Sequence, residues 1–253
     1  DMSMLELTPD FIKEFAAYLS TEAGLRNGSI WANCMWLKGV VMKAHYNGLI
    51  PRNPFIQFHI SPNVKEREYL TEDELKAVMT HEFADSKLAY IRDIFIFASF
   101  TALSFVDIQE LTNDNIVEEN GEKWILSKRH KTKVAFQVKL LDIPLQIVER
   151  YRPMQKDNRI FPGLNYWSIC KPLKRMIREC GITKSISFHC SRHGFATLAL
   201  SKGMPIESVS RVLGHTNIVT TQLYAKITTQ KLDNDLTMFG DKLSKTFNGI
   251  TMS

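Results

Sequence analysis

The feature that most constrains the fold of this chain is a break in its helical periodicity between residues 51 and 68. Prolines stand at Pro51, Pro54 and Pro62, and a charged run follows the last of them. Proline removes a backbone donor and disfavours helix in the residue before it, so no helix can continue through this break. A chain of 253 residues is long enough for a small domain and a medium one. We therefore predict a first domain over residues 1–62, a linker over 63–68 and a second domain over 69–253.

The first domain carries helical signals. Thr8 followed by Pro9 is typical of a helix start, because a capping hydroxyl precedes a proline at the first helical position. A second helix is predicted from about Ser29 to Tyr46, with Gly48 as its stop. Aromatic and aliphatic side chains at helical spacing predict a small core, and these are Phe11, Phe15, Tyr18 and Leu19.

The second domain is predicted to be mainly helical with one small antiparallel sheet. Thr71 and Glu74 form a capping box ahead of an apolar run, and the nearly all-apolar segment 91–103 predicts a buried central helix. Three short runs with strand character follow, at residues 116–117, 124–126 and 134–141, with the turn signal Asn120-Gly121 between the first two. The predicted fold class is therefore mainly α with a small antiparallel β-sheet (α+β).

Composition narrows the class of protein. The net charge of +5 is compatible with nucleic-acid binding, and no apolar run approaches the length of a membrane span. The four cysteines lack the spacing of a zinc site and the density of a disulfide framework, so we expect reduced thiols, no metal and a cytoplasmic protein. The first residues have no features of a targeting segment.

The strongest chemical signal is a set of three motifs near the C-terminus. The pattern H-x-x-R-H begins at His189, L-G-H ends at His215, and Tyr224 follows nine residues later. Arginine offers a planar fork of donors that matches phosphate oxygens, histidine can donate to oxygen or move a proton near neutral pH, and tyrosine can act as a covalent nucleophile. Together these residues predict a phosphate-binding site beside a phenol, with phosphoryl transfer through a phosphotyrosine.

At these positions the chain resembles the tyrosine recombinase, or phage integrase, family, and in particular the integrases of conjugative transposons. The resemblance implies a site-specific DNA recombinase or integrase of the bacterial cytoplasm, which cleaves and rejoins double-stranded DNA at specific sites. Tyr224 would form a 3′-phosphotyrosyl bond without metal, ATP or another cofactor. Arg192, His189 and His215 would donate to the phosphate oxygens, and His189 is the better proton acceptor.

The resemblance extends to the β-hairpin and to the end of the central helix. Lys131, in a run of cations at a predicted hairpin tip, stands where the family has a lysine that protonates the leaving 5′ oxygen. Ser104 stands where the family has its first catalytic arginine, and Arg129 is our candidate for a compensating cation. Asp107 matches an acidic position that supports the site through hydrogen bonds.

Two groups of cations are predicted to contact DNA. The first domain resembles the helical core-binding domain of integrases, including a closing pattern over residues 48–55, and this resemblance implies a DNA clamp. Its candidate contacts are Arg26, Lys38 and Lys43. In the second domain a predicted helix carries a basic stripe at positions i, i+3, i+4 and i+7, formed by Lys171, Lys174, Arg175 and Arg178.

A last predicted helix has an apolar seam formed by Leu232, Leu236, Phe239 and Leu243. This seam could dock on its own domain or, as in the family, on a neighbouring protomer of a homotetramer on DNA. Because relatives often carry a further N-terminal arm-binding domain, the resemblance also implies that this chain is a fragment.

Three alternatives to an active recombinase remain. The first is a DNA-binding relative that has lost cleavage through the change at Ser104. The second is a metal-dependent nuclease built on His189, His193 and His215, although that segment lacks the carboxylates such a site requires. The third is a type IB topoisomerase, which uses the same nucleophile chemistry with less sequence selectivity.

Overall fold

A computed structural model describes residues 2–61, 68–155, 157–224 and 229–246 of the chain. The chain divides into two compact units, Asp1–Glu66 and Arg67–Ser253. Residues 63–67 of the predicted linker lie outside the described residues. No helix in the described ranges is long and apolar enough to cross a membrane.

The first unit contains two main helices, α1 (Pro9–Thr21) and α2 (Asn27–Tyr46). As predicted, Thr8 caps α1, its hydroxyl accepting from the Phe11 backbone N–H at 3.1 Å. The predicted aromatic core is correct only in part, since Leu19 is buried and Phe11 and Phe15 pack at its edge, whereas Tyr18 is exposed. The core consists instead mainly of aliphatic side chains of both helices and the segment that follows them.

The second unit is built around α4 (Ser86–Thr101), the buried helix that the apolar segment predicts. It packs against α3, α6, α7 and α8. The helices of this unit are α3 (Glu72–Thr80), α4, α5 (Phe105–Gln109), α6 (Asp142–Tyr151), α7 (Tyr166–Glu179), α8 (Cys190–Ser201), α9 (Ile206–Leu213), α10 (Val219–Gln222) and α11 (Thr229–Thr246). The capping box of Thr71 and Glu74 is present at the start of α3.

The sheet is a three-stranded antiparallel meander of β1 (Ile116–Glu119), β2 (Glu122–Lys128) and β3 (Ala135–Lys139). Asn120 and Gly121 both have positive φ, 53° and 77°, as the tight turn between β1 and β2 requires. Ile125 lies opposite Ile116 on one side and Val138 on the other, and it is fully buried. The predicted fold class, mainly α with a small antiparallel sheet, is confirmed.

A buried carboxylate ties α4 to α6. Asp93 accepts hydrogen bonds from Tyr151 Oη at 2.8 Å, Arg150 Nη1 at 2.6 Å and Arg92 Nε at 2.9 Å. Asp93 and Tyr151 are both buried, so these bonds replace the water that each group loses on folding.

We expect Asp93→Ala to lower the free energy of unfolding by about 3–5 kcal/mol, because it leaves the Tyr151 hydroxyl and two guanidinium groups without their shared acceptor. Urea denaturation of the parent and the variant measures this loss. Asp73→Ala, at an almost fully exposed carboxylate on α3, is the control and should cost about 1 kcal/mol or less. Equal losses for the two variants would contradict the prediction.

Candidate active site

Arg192, on the first turn of α8, is the buried centre of the site. Its Nη1 donates to the Ala102 carbonyl at 2.8 Å, and its Nη2 donates to the Leu213 carbonyl. These carbonyls lie at the C-terminal ends of α4 and α9, where the helix dipole favours a cation. Ala102 adopts φ 56°, a left-handed conformation that costs a non-glycine residue about 1–2 kcal/mol, and it ends α4 there.

A second buried guanidinium lies beside the first. Arg129 follows β2 directly, and its side chain donates to Asp107 at 2.8 Å and to the Val212 carbonyl. Its guanidinium carbon lies 4.0 Å from the centre of the Phe136 ring. Arg129 is only 5% exposed, although the sequence places it on a hairpin. The base of that hairpin is therefore anchored. Among the described residues, its Nε is the one buried side-chain donor or acceptor without a hydrogen-bond partner.

Gly214 makes room for Arg129. A Cβ at this position would lie 2.9 Å from Arg129 Nε and 3.0 Å from its Cγ, closer than real Cβ contacts. Gly214 also has φ 62° and ends α9 in the left-handed conformation. Two separate constraints therefore favour glycine at this position of the L-G-H motif, namely the space that Arg129 occupies and the left-handed backbone that ends α9.

Asp107 holds Arg129 in place, and Ser104 holds Asp107. Ser104 caps α5 in a capping box, and its hydroxyl donates to Asp107 Oδ2 at 2.7 Å. The other carboxylate oxygen accepts from the His130 backbone N–H at 3.0 Å. Burial raises the pKa of Asp107, but the hydrogen bonds from His130, Arg129 and Ser104 outweigh burial and keep its pKa below the ordinary value.

The two arginines raise the positive potential of the site. Burial and, to a smaller extent, the neighbouring Arg129 lower the pKa of Arg192 to about 10, although Tyr224 and Asp107 act in the opposite direction. Both guanidinium groups remain charged at neutral pH. The pair can therefore attract an anion such as a phosphate.

His215 is a neutral member of the site. Its Nδ1 lies 2.8 Å from the hydroxyl of the buried Thr221. Burial and the charges of Arg192, Arg129 and His189 lower the pKa of His215 to about 4. At neutral pH the imidazole can therefore donate one N–H to an oxygen without carrying charge.

Tyr224 and two histidines complete the site. Tyr224 packs on the buried cluster formed by α8 and α9, and its ring centre lies 5.0 Å from that of His193. His193 in turn lies 4.8 Å from His189, which is exposed at the start of α8. Among the sequence predictions His193 has a role only in the metal-dependent nuclease alternative, although its place next to Arg192 in the motif is a signal for a role in the recombinase site as well.

The predicted site residues are thus brought together except for one. Arg192, Arg129, His189, His215 and Tyr224 are linked by contacts or by electrostatic interaction. Lys131 lies on the exposed hairpin between β2 and β3, and within the described residues its ammonium makes no hydrogen bond or ion pair. Also among the described residues, no group of three or more His, Cys, Asp or Glu side chains could hold a metal ion.

The basic face of α7 differs in one member from the predicted stripe. Arg175 is engaged, bonding Glu179 at 2.8 Å and Asp85 at 3.3 Å. The other three cations are exposed and form no ion pair among the described residues: Lys171, Lys174 and Arg178. Trp167, 84% exposed, shares their face at spacings i, i+4, i+7 and i+11, a pattern that we missed in the sequence.

The three cations predicted on the first unit lie on or next to α2. Arg26 precedes the first residue of the helix and is exposed, and Lys43 is exposed near its end. Lys38 is half-buried. Trp36, which is 75% exposed, adds an aromatic ring to the surface of this helix.

The low pKa of His215 predicts a specific pH dependence of stability. Its ordinary pKa is about 6.5, so between about pH 6.5 and pH 4 the unfolded chain binds more protons at this residue than the folded chain. This contribution to the free energy of unfolding is therefore lost as the pH falls through that window. We expect His215→Gln, measured by urea denaturation at pH 7, 5.5 and 4.5, to lose less stability than the parent on acidification. Parallel declines in the two proteins would contradict this assignment.

Comparison with known proteins agrees with this geometry. Residues 68–231 match the phage integrase family, and residues 1–60 match the phage integrase SAM-like domain. Tyrosine recombinase XerC of Lactobacillus leichmannii is 26% identical over 229 residues, which are 85% of this chain and 77% of that protein.

Two solved structures share the fold. The Tn1549 transposon integrase in complex with circular intermediate DNA has a TM-score of 0.78 at 18% identity, covering 93% of this chain and 86% of that one. The XerH site-specific recombinase bound to palindromic difH substrate, a post-cleavage complex, has a TM-score of 0.69 at 19% identity, covering 93% and 73%. With both integrase domains matched along its length, the chain belongs to the phage integrase family of tyrosine recombinases.

Proposed function

We propose that this chain cleaves and rejoins double-stranded DNA at specific sites through a covalent 3′-phosphotyrosyl bond to Tyr224, with neither metal nor ATP. The observation that carries the proposal is the buried Arg192 guanidinium, held at two helix ends beside a second arginine and the Tyr224 phenol. A DNA phosphate is the anion that fits such a site, and a phenol is a nucleophile that can attack it.

In the proposed reaction Tyr224 Oη attacks the phosphorus and displaces the 5′ oxygen of the next nucleotide. His189 accepts the phenol proton, and Lys131 gives a proton to the departing oxygen. Neither the phenol oxygen nor the departing 5′ oxygen is then left with a negative charge. Arg192 and neutral His215 donate hydrogen bonds to the non-bridging oxygens as their charge increases. The phosphotyrosyl bond conserves the energy of the broken bond, and a 5′-hydroxyl of another strand reverses the step.

Lys131 must move toward the scissile phosphate to donate this proton. Its ammonium is exposed on the hairpin, whereas the base of that hairpin is fixed by the Arg129 ion pair. We propose that DNA draws this lysine toward the scissile phosphate by its charge. Because Lys131 is on a solvated loop next to an anchored strand end, it can move toward the phosphate without disturbing the sheet.

We further propose that Arg129 supplies the charge that the family takes from an arginine at the position of Ser104. The charge of Arg129 acts on Arg192 across the buried site, so it can add to the positive potential that a bound phosphate meets. Ser104 has taken a different function as the cap of α5 and the partner of Asp107. The competing hypothesis is a DNA-binding relative in which this change has abolished cleavage.

We propose two DNA-binding surfaces, one on each unit. One is the α7 face formed by Trp167, Lys171, Lys174 and Arg178, and the other is formed by Arg26, Lys38 and Lys43 of the first unit. The cations would contact backbone phosphates, and the indole offers apolar contact to bases or sugars. Both solved relatives described above were determined with bound DNA. Arg175 is left out of the α7 surface because two carboxylates already form ion pairs with it.

We also propose that the chain assembles as a homotetramer on DNA through α11. In the structure the seam side chains Leu232, Leu236, Phe239 and Leu243 are all exposed. An apolar stripe of this length left in water favours docking on a neighbouring protomer over docking on its own domain.

Covalent adduct formation tests the proposed chemistry. Nicked duplexes that carry the recombination site lose their cleaved strand by diffusion, so an adduct accumulates and shifts on a denaturing gel. We expect the parent to form this adduct and Tyr224→Phe to form none. We expect Arg129→Ala to form it about 100-fold more slowly or worse, the usual loss for one donor to a transition-state oxyanion.

Binding to the same duplex, measured on a native gel, controls for folding of each variant. If the parent binds without forming an adduct, the hypothesis of a cleavage-deficient relative is correct. If Arg129→Ala cleaves at the parental rate, Arg129 does not compensate for Ser104. Relaxation of supercoiled plasmid by the parent alone would favour the topoisomerase alternative.

The α7 surface predicts which cations set the salt dependence of DNA binding. Each phosphate contact contributes about 0.9 to the slope of log affinity against log salt concentration, so Lys174→Ala and Arg178→Ala should each reduce this slope by about 1. Arg175→Ala, one residue from Lys174, is the matched control and should leave the slope unchanged. Fluorescence anisotropy on a labelled duplex over a salt series measures it. A reduced slope in the control, or none in the other two, would contradict the assignment.

A further inference from the structure

Three aromatic rings form a continuous row in the site. His189 directly precedes α8 and His193 lies one turn further along, with ring centres 4.8 Å apart and ring planes inclined at 79°. His193 meets Tyr224 at 5.0 Å with an inclination of 67°. Both contacts have the edge-to-face geometry and the distance that aromatic pairs prefer. The His193 ring therefore lies between the proposed proton acceptor and the proposed nucleophile.

Within the described residues, Tyr224 lies just after a short helical segment. It follows α10, which spans only Val219–Gln222, and a helix this short is not stable by itself. The Tyr224 backbone N–H donates to the Thr221 carbonyl at 3.0 Å. Its side chain also packs on the cluster that includes Ala196 and Leu213. The position of its hydroxyl therefore depends on side chains of the surrounding helices.

His193 is well placed to fix that position. It is half-buried on the rigid helix that also carries Arg192, so its ring is held relative to the guanidinium that would bind the phosphate. A ring of this size in contact with the face or edge of the phenol restricts the rotation of the Tyr224 side chain about its Cα–Cβ bond. Its contacts with both rings also keep His189, the proposed proton acceptor, in a constant arrangement relative to the Tyr224 phenol.

We propose that His193 is a positioning residue, whose ring holds the Tyr224 phenol in line for attack on the phosphate bound at Arg192. This inference rests on the proposed function and adds a residue to it. His193 acts by shape in this proposal and carries no proton. A nucleophile displaced by about 1 Å can lose about 100-fold in rate, so loss of the ring should affect cleavage without affecting DNA binding.

The test compares His193→Ala, His193→Leu and His193→Phe in single-turnover cleavage of the nicked duplex. The Phe variant keeps a ring and removes both nitrogens, whereas the Leu variant keeps bulk and removes the ring. We expect cleavage about 10- to 100-fold slower for Ala and Leu, and within about threefold of the parent for Phe, with an unchanged pH profile. DNA affinity should equal that of the parent in all three.

Thr197→Ala is the matched control. Thr197 lies one turn further along α8, and its hydroxyl donates to the His193 carbonyl at 3.1 Å. This variant perturbs the same helix without removing the ring, so it should cleave at the parental rate. If it slows cleavage as much as His193→Ala does, the effect belongs to the helix and the proposal is wrong.

A second readout does not require activity. In the free protein the ring resonances of Tyr224, assigned by their loss in Tyr224→Phe, should shift and broaden in His193→Ala and keep the parental linewidth in His193→Phe. Unchanged Tyr224 resonances in His193→Ala would overturn the positioning role, whether or not the parent forms a covalent adduct. Absence of an adduct in the parent alone would reject the proposed function instead.

The kinetic outcomes separate the remaining possibilities. Parental cleavage by His193→Ala and His193→Leu would overturn the proposal. Cleavage by His193→Phe as slow as that of His193→Ala, together with an altered pH profile, would also overturn it and assign His193 to proton transfer.

Discussion

The site depends on two buried guanidinium groups bound to the carbonyl ends of helices. Arg192 joins the end of α4 to the end of α9 through Ala102 and Leu213, and Arg129 reaches the same end of α9 through Val212. Helix C-termini carry unsatisfied carbonyls and partial negative charge, so these contacts stabilise both the cations and the helix ends. The charge needed to bind an anion is therefore part of the packing of the catalytic unit.

A series of contacts that begins at Ser104 connects α5, the base of the hairpin after β2, and α8. Ser104 caps α5 and bonds Asp107, and Asp107 directs Arg129 toward Arg192 from the base of the hairpin. The ion pair is buried, and removal of either partner would leave a desolvated charge. The end of β2 thus contributes a buried cation to the site, and Gly214 leaves the space for it.

Much of this molecule follows from local sequence. The capping box at Thr71, the Asn120-Gly121 turn and the apolar run of α4 each specify structure through the residues themselves, and the structure confirms all three. The exposure of Tyr18 was not predictable in this way, because periodicity identifies a helical face without showing how much of it a small core covers. Similarly, the ion pairs of Arg175 involve Asp85, 90 residues away, which spacing along one helix cannot reveal.

The sequence by itself determined the family, the order of the motifs and the identities of Arg192, His189, His215 and Tyr224, since these depend on residue type and spacing. Only the tertiary structure decided that Arg129 is buried against Asp107, that His215 is neutral and that His193 contacts Tyr224. The physical reason is that burial, pKa and ring contacts arise between segments distant in the chain. Such quantities depend on which helix ends and loops meet, and this is fixed by packing around α4 and not by any local pattern.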